Sequence, residues 1–126
     1  MLEESDLRRL IEALWDRLDC AVDLGDDGED YFKAQGFLNA AYTDNRRFRR
    51  VHYRERAILE YEQNFFAVYT KNASRSGVAF LHAHQLFPGD CARLFLTKGL
   101  VLSLVIHRSV QIREQCFECG GEFVAV

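Results

Sequence analysis

From residue 54 onward the chain reads as short apolar segments cut by turn signals, and few folds accept that pattern. The strand-like stretches are residues 57–61, 65–70, 78–82, 91–97, 100–112 and 117–126. Gln63-Asn64 breaks the first pair, Pro88-Gly89-Asp90 marks a turn before the fourth, and Lys98-Gly99 reads as a hairpin turn before the fifth. Many short strands with tight turns in so small a segment predict a closed antiparallel barrel.

The first forty-odd residues follow another rule. Leu7, Leu10, Ile11, Leu14, Trp15 and Leu18 fall at helical spacing, with Ser5 or Asp6 as the expected N-cap and charged residues on the opposite face. Such a stripe must be covered, either by the barrel or by a partner surface built around Trp15, and the pattern leaves both open. Residues 25–30 read as a solvated acidic turn; the spacing of an EF-hand is absent. Residues 31–42 carry a looser helical pattern interrupted by Gly36, and a second short helix is expected there. The predicted organisation is an acidic helical extension over residues 1–44 and a barrel over residues 45–126.

Charge narrows the function. The chain has 126 residues and a net charge of −3, so it is not a general polyanion binder. Its basic charge is concentrated between residues 45 and 56, which hold six arginines and no lysine. A guanidinium is planar, permanently charged, and grips a phosphate or a guanine edge with two parallel hydrogen bonds. Further on, Asn72-Ala73-Ser74-Arg75-Ser76-Gly77 reads as a tight loop offering side-chain acceptors at Asn72 and Ser74. Two strands joined by a turn between these stretches bring the loop back beside the arginines. A compact anionic ligand is implied, not a nucleic-acid polymer.

Arg46-x-x-x-Arg50 followed by Asn72-x-Ser74-x-x-Gly77 resembles the two-part signature of the PilZ domain family, bacterial receptors for cyclic di-GMP. Arg50-x-x-x-Arg54 also fits the first half; Arg46 and Arg50 fit better because an aliphatic residue, Val51, follows directly. The resemblance runs from about residue 45 to the C-terminus, through Gly121-Glu122-Phe123, and leaves the N-terminal extension uncovered. It implies a mainly β fold, a six-stranded antiparallel barrel. It also implies ligand contacts from Arg46, Arg50, Asn72 and Ser74, with Gly77 keeping the backbone bare beside the ligand. Arg47, Arg49, Arg54 and Arg56, with Arg75 in the loop, are expected auxiliary contacts through charge or stacking. Asn72 stands where many members have Asp, so it offers a guanine donors and an acceptor but no carboxylate charge. The implied role is a receptor or adaptor without catalytic activity or cofactor. It would relay the second messenger to an effector protein in motility, biofilm or exopolysaccharide control. Ligand binding would rearrange the arginine-rich segment and turn the acidic extension relative to the barrel.

Other constellations are weaker. Cys116-Phe117-Glu118-Cys119 has CxxC spacing, but residues three apart on a strand point to opposite faces, and no second pair completes a zinc site. His82-Ala83-His84 lacks a third ligand, so no metal is expected. No nucleophile elbow, Walker loop or zinc-protease motif is present, and an enzyme is not expected. The start is acidic with no apolar leader-like run, and residues 100–106 are too few to span a bilayer; a cytoplasmic protein with reduced thiols is expected. It would be a monomer, or a homodimer through the N-terminal helix. One alternative is a PilZ-like interaction module that does not bind the nucleotide; another is a small-barrel nucleic-acid binder.

Overall fold

Apolar alternation builds a barrel that closes. The structure, a computed structural model, describes residues 4–28, 30–38 and 49–124. It contains α1 (Glu4–Arg17) and seven strands: β1 (Val51–His52), β2 (Arg56–Tyr61), β3 (Asn64–Ala73), β4 (Gly77–His82), β5 (Cys91–Leu96), β6 (Val101–Arg113) and β7 (Cys116–Phe123). The order is β1-β3-β2-β5-β6-β7-β4, and pairing of β3 with β4 closes six strands into an antiparallel barrel, with β1 as an extra strand. Closure removes the open edges that a sheet of this size would otherwise present.

The strand signals set the register. Ala57, Leu59, Val68, Val78, Phe80, Leu94, Leu104, Ile106 and Cys119 point into the lumen and form one buried cluster. Four connections between strands use left-handed backbone: Glu62 and Gln63 between β2 and β3, Gly89 between β4 and β5, Gly99 between β5 and β6, and Gln115 between β6 and β7. Two left-handed residues in succession make the mirror-image turn whose twist suits a two-residue hairpin, here without glycine.

The N-terminal stripe packs on its own barrel. Trp15 is buried against Ile58 and Ala67, with Ile11, Leu18, Tyr69 and Phe95 around it. Its Nε1 donates to the Val68 carbonyl at 3.1 Å, so the indole N–H is satisfied where it is buried. The stripe is divided, however: Leu10 and Leu14 remain exposed. The helix also begins at Glu4, which places Ser5 and Asp6 in its first turn and not at its cap. Beyond α1 the chain continues along the barrel. Tyr31, with Val22 and Leu24, packs on Leu81 and Cys116.

The second helix expected over residues 31–42 does not form in the part described. A 3₁₀ turn covers Tyr31–Lys33. Gly36 then adopts φ +81°, and Phe37 makes an antiparallel bridge to Val51. A left-handed glycine ends a helical path, and the bridge supplies backbone partners that a helix would have supplied locally. The acidic turn at residues 25–30 is in part a 3₁₀ turn, Gly25–Asp27.

Candidate functional site

The hairpin of β2 and β3 carries the end of β3 back beside Val51 and His52, within the arginine cluster. Val51 pairs with Ala73, and His52 with Asn72. Arg50 Nη1 then donates to Asn72 Oδ1 at 2.8 Å. The two halves of the motif, 22 residues apart in sequence, touch. An amide at position 72 orients the guanidinium without cancelling its charge, as a carboxylate would.

The β3–β4 turn is held by its own polar groups. Ser74 N donates to the Gly77 carbonyl at 2.9 Å, and Ser76 N to Ser74 Oγ at 3.2 Å. The Ser76 carbonyl accepts from Phe123 N at 2.9 Å, tying the turn to the end of β7. Gly77 has a reason within the barrel: a Cβ there would lie 2.3 Å from the Gly121 carbonyl oxygen. Gly121 in turn makes room for Leu104, whose side chain would lie 3.1 Å from an added Cβ.

Two β-bulges shape the outer wall next to the turn. The register of β3 against β4 shifts between Thr70 and Asn72, and that of β6 against β7 between Ile106 and Arg108. Without the shifts, alternation would turn Asn72 and Arg108 into the lumen; each bulge turns its residue outward. The result is a row across four strands: Asn72 opposite Ala79, Ala79 opposite Gly120, Gly120 opposite Arg108. Over it lies a cleft of about 290 Å³ lined by Arg50, Ala79, His107, Arg108 and Gly120. Its middle is low because Ala79 and Gly120 carry almost no side chain. Gly120 has no steric obligation comparable to that of Gly77: an added Cβ would find its nearest neighbour at 3.7 Å, an ordinary contact.

Glu118 organises the cations beside this cleft. Its carboxylate accepts from Lys71 Nζ and from Arg108 Nη2. Burial pushes its pKa up, but the Lys71 hydrogen bond and the charges of Lys71, Arg108 and Arg50 outweigh it and hold the carboxyl below its ordinary value. One carboxylate thus serves three cations. The patch is positive, with its geometry fixed by a single internal anion.

A second cleft, of about 400 Å³, lies on the other side of β1 and is lined by Phe37, Arg49, Val51, Ala73, Ser74 and Arg75. Among the expected site residues the structure therefore joins Arg50 to Asn72, and Arg49 to Ser74 and Arg75. It does not bring Arg54 into either cleft: that guanidinium lies 4.4 Å from the Tyr31 ring centre, and its Nη1 donates to the Tyr31 carbonyl at 3.2 Å. Arg56 is likewise stacked on Trp15, 4.7 Å from the ring centre. Both hold the N-terminal extension to the barrel. Arg46 and Arg47 lie outside the described residues. Lys71, His107, Arg108, Glu118 and Gly120 were not expected at the site. The mark in the sequence nearest to them is a run of three polar residues after an apolar stretch, Thr70-Lys71-Asn72 in β3 and His107-Arg108-Ser109 in β6.

The remaining constellations form no bond or metal site among the described residues. All four cysteines are free thiols. Cys116 and Cys119 are both buried but belong to different clusters, one under the N-terminal segment and one in the lumen. Among the described residues no group of three or more metal-ligating side chains forms, and no helix is long and apolar enough to cross a membrane. No protein-family model matches this sequence, and no curated protein matches it either.

Proposed function

We propose that the protein is a receptor for cyclic di-GMP that relays the second messenger to a protein partner. The observation that carries this reading is the hydrogen bond from Arg50 to Asn72, which unites the two halves of the PilZ-like motif at one place. Cyclic di-GMP presents two phosphates and two guanines on a small ring. Arg50, Arg49 and Arg75 supply fixed positive charge and planar donors, and the low floor at Ala79 and Gly120 suits a flat group lying against the barrel. Arg46 and Ser74 complete the contacts that the resemblance implies.

The relay follows from how the arginine segment is anchored. Leu38 N donates to the Arg50 carbonyl at 2.9 Å and His52 N to the Gly36 carbonyl at 2.8 Å, while Arg54 grips Tyr31. A ligand that repositions Arg50 therefore pulls on the N-terminal extension, and the surface offered to an effector changes with it. The process served would be motility, surface attachment or exopolysaccharide control in the bacterial cytoplasm, with no catalytic step and no cofactor.

Calorimetric titration tests this. Cyclic di-GMP should bind the wild-type protein, Arg50→Ala should lose about tenfold or more in affinity through the loss of a charge-assisted contact, and GTP should not substitute. Absence of heat with the wild-type protein would overturn the receptor reading.

A further inference from the structure

We infer that the cleft beside β1 is a base-stacking subsite, with Phe37 of the N-terminal extension as its aromatic wall. This rests on the cyclic di-GMP reading and assigns one of the ligand's two guanines to a place. An exposed phenylalanine alone means little. Here its setting gives it meaning. Phe37 is 59% exposed although the Arg49 guanidinium lies 4.4 Å from its ring centre. It lines the cleft with Val51 and Ala73 as an apolar floor and Arg75 at the rim. Apolar surface flanked by guanidinium groups is the combination that takes a purine face and its attached phosphate together.

Phe37 is also held in place. The bridge to Val51 and the hydrogen bonds of Gly36 with His52 and of Leu38 with Arg50 fix its backbone on both sides. The left-handed turn at Gly36 delivers the residue to that position, and a Cβ at Gly36 would meet nothing within 4 Å. A platform held by main-chain bonds loses little freedom on binding, which favours a stacking role. Phe37 precedes the arginine motif, so base contact here would also couple the extension directly to ligand occupancy.

The test uses the full chain and two variants, Phe37→Ala and Phe37→Trp. Both should melt close to the wild type, because the side chain is mostly exposed. In calorimetry with cyclic di-GMP, Phe37→Ala should bind about tenfold to a hundredfold more weakly, the worth of one stacked base. Phe37→Trp should keep the affinity, and cyclic di-GMP should quench its fluorescence beyond any change that Trp15 shows in the wild type. Unaltered affinity in Phe37→Ala, or an unquenched indole in a Phe37→Trp protein that binds, overturns the subsite and leaves the receptor reading standing. No binding by the wild type overturns both.

Discussion

Replacing Gly77 by alanine separates what the motif glycine does for the barrel from what it does for a ligand. The backbone at Gly77 is not left-handed, so on conformational grounds alone alanine would gain about 0.4–1 kcal/mol by restricting the unfolded chain. The geometry opposes this. The new methyl would stand 2.3 Å from the Gly121 carbonyl oxygen, and that atom is main chain within the β4–β7 ladder, where Val78 pairs with Gly121. The strand cannot yield as a flexible side chain would. Overpacking of this kind costs about 1–3 kcal/mol, and main chain in a closed barrel belongs at the upper end. A net loss of about 2–3 kcal/mol would lower the melting temperature of a chain this long by roughly 10 °C. Gly120→Ala is the internal control: its methyl would meet nothing nearer than 3.7 Å, so it should melt at or slightly above the wild type. Thermal unfolding followed by circular dichroism, with urea titration as a second measure, reads both. If Gly77→Ala melts like the wild type, the steric account of this glycine is wrong, and its bareness must serve something other than β7.

Two further outcomes follow from buried and half-buried charge. His82 is buried, and burial together with nearby His84 pushes its pKa down to about 4, against about 6.5 in the unfolded chain. The unfolded state takes the proton first, so stability is full above pH ~6.5 and falls as pH drops towards ~4, by up to about 3 kcal/mol; His82→Phe should flatten that slope in urea titrations run across the window, and an unchanged slope would refute the assignment. Glu118 has a depressed pKa, so its contribution is present above the ordinary carboxyl range and lost as pH falls through the lower folded value. Glu118→Gln should therefore lower stability at neutral pH by about 1–2 kcal/mol and weaken the acid dependence. By releasing Lys71 and Arg108 from their shared anion it should also tighten binding of cyclic di-GMP in calorimetry; unchanged or weaker binding would show that these cations do not face the ligand.

Much of the barrel was legible because its strands alternate and its turns are short. The segments at 57–61, 78–82 and 91–97 match β2, β4 and β5 to within a residue or two. Helical spacing likewise located α1. What spacing could not decide was where a side chain finds its partner. Six arginines in twelve residues look alike in the sequence, yet those described differ: Arg50 meets Asn72, Arg49 meets Phe37, Arg54 meets Tyr31 and Arg56 meets Trp15. Cation–π stacking needs an aromatic face within about 6 Å, and these faces arrive from chain regions up to about forty residues away. The helix expected over 31–42 does not form in its described part, residues 31–38, for a related reason. Its apolar residues satisfied a weak local preference, but Gly36 and a long-range bridge to Val51 gave the backbone another partner.

The far wall of the site was hidden by the same rule that revealed the strands. Strict alternation sends Asn72 and Arg108 inward; only the bulges at Lys71 and His107 turn them out. A bulge gives up ladder hydrogen bonds, and a strand glycine such as Gly120 gives up about 0.5–1 kcal/mol of intrinsic preference. Those two bulges and that glycine fall on one row beside Arg50, while a third register shift, between Gln111 and Arg113, lies farther along β6. The meeting of two bulges and a bare glycine beside the cations that Glu118 gathers argues that this face of the barrel is shaped for something outside it.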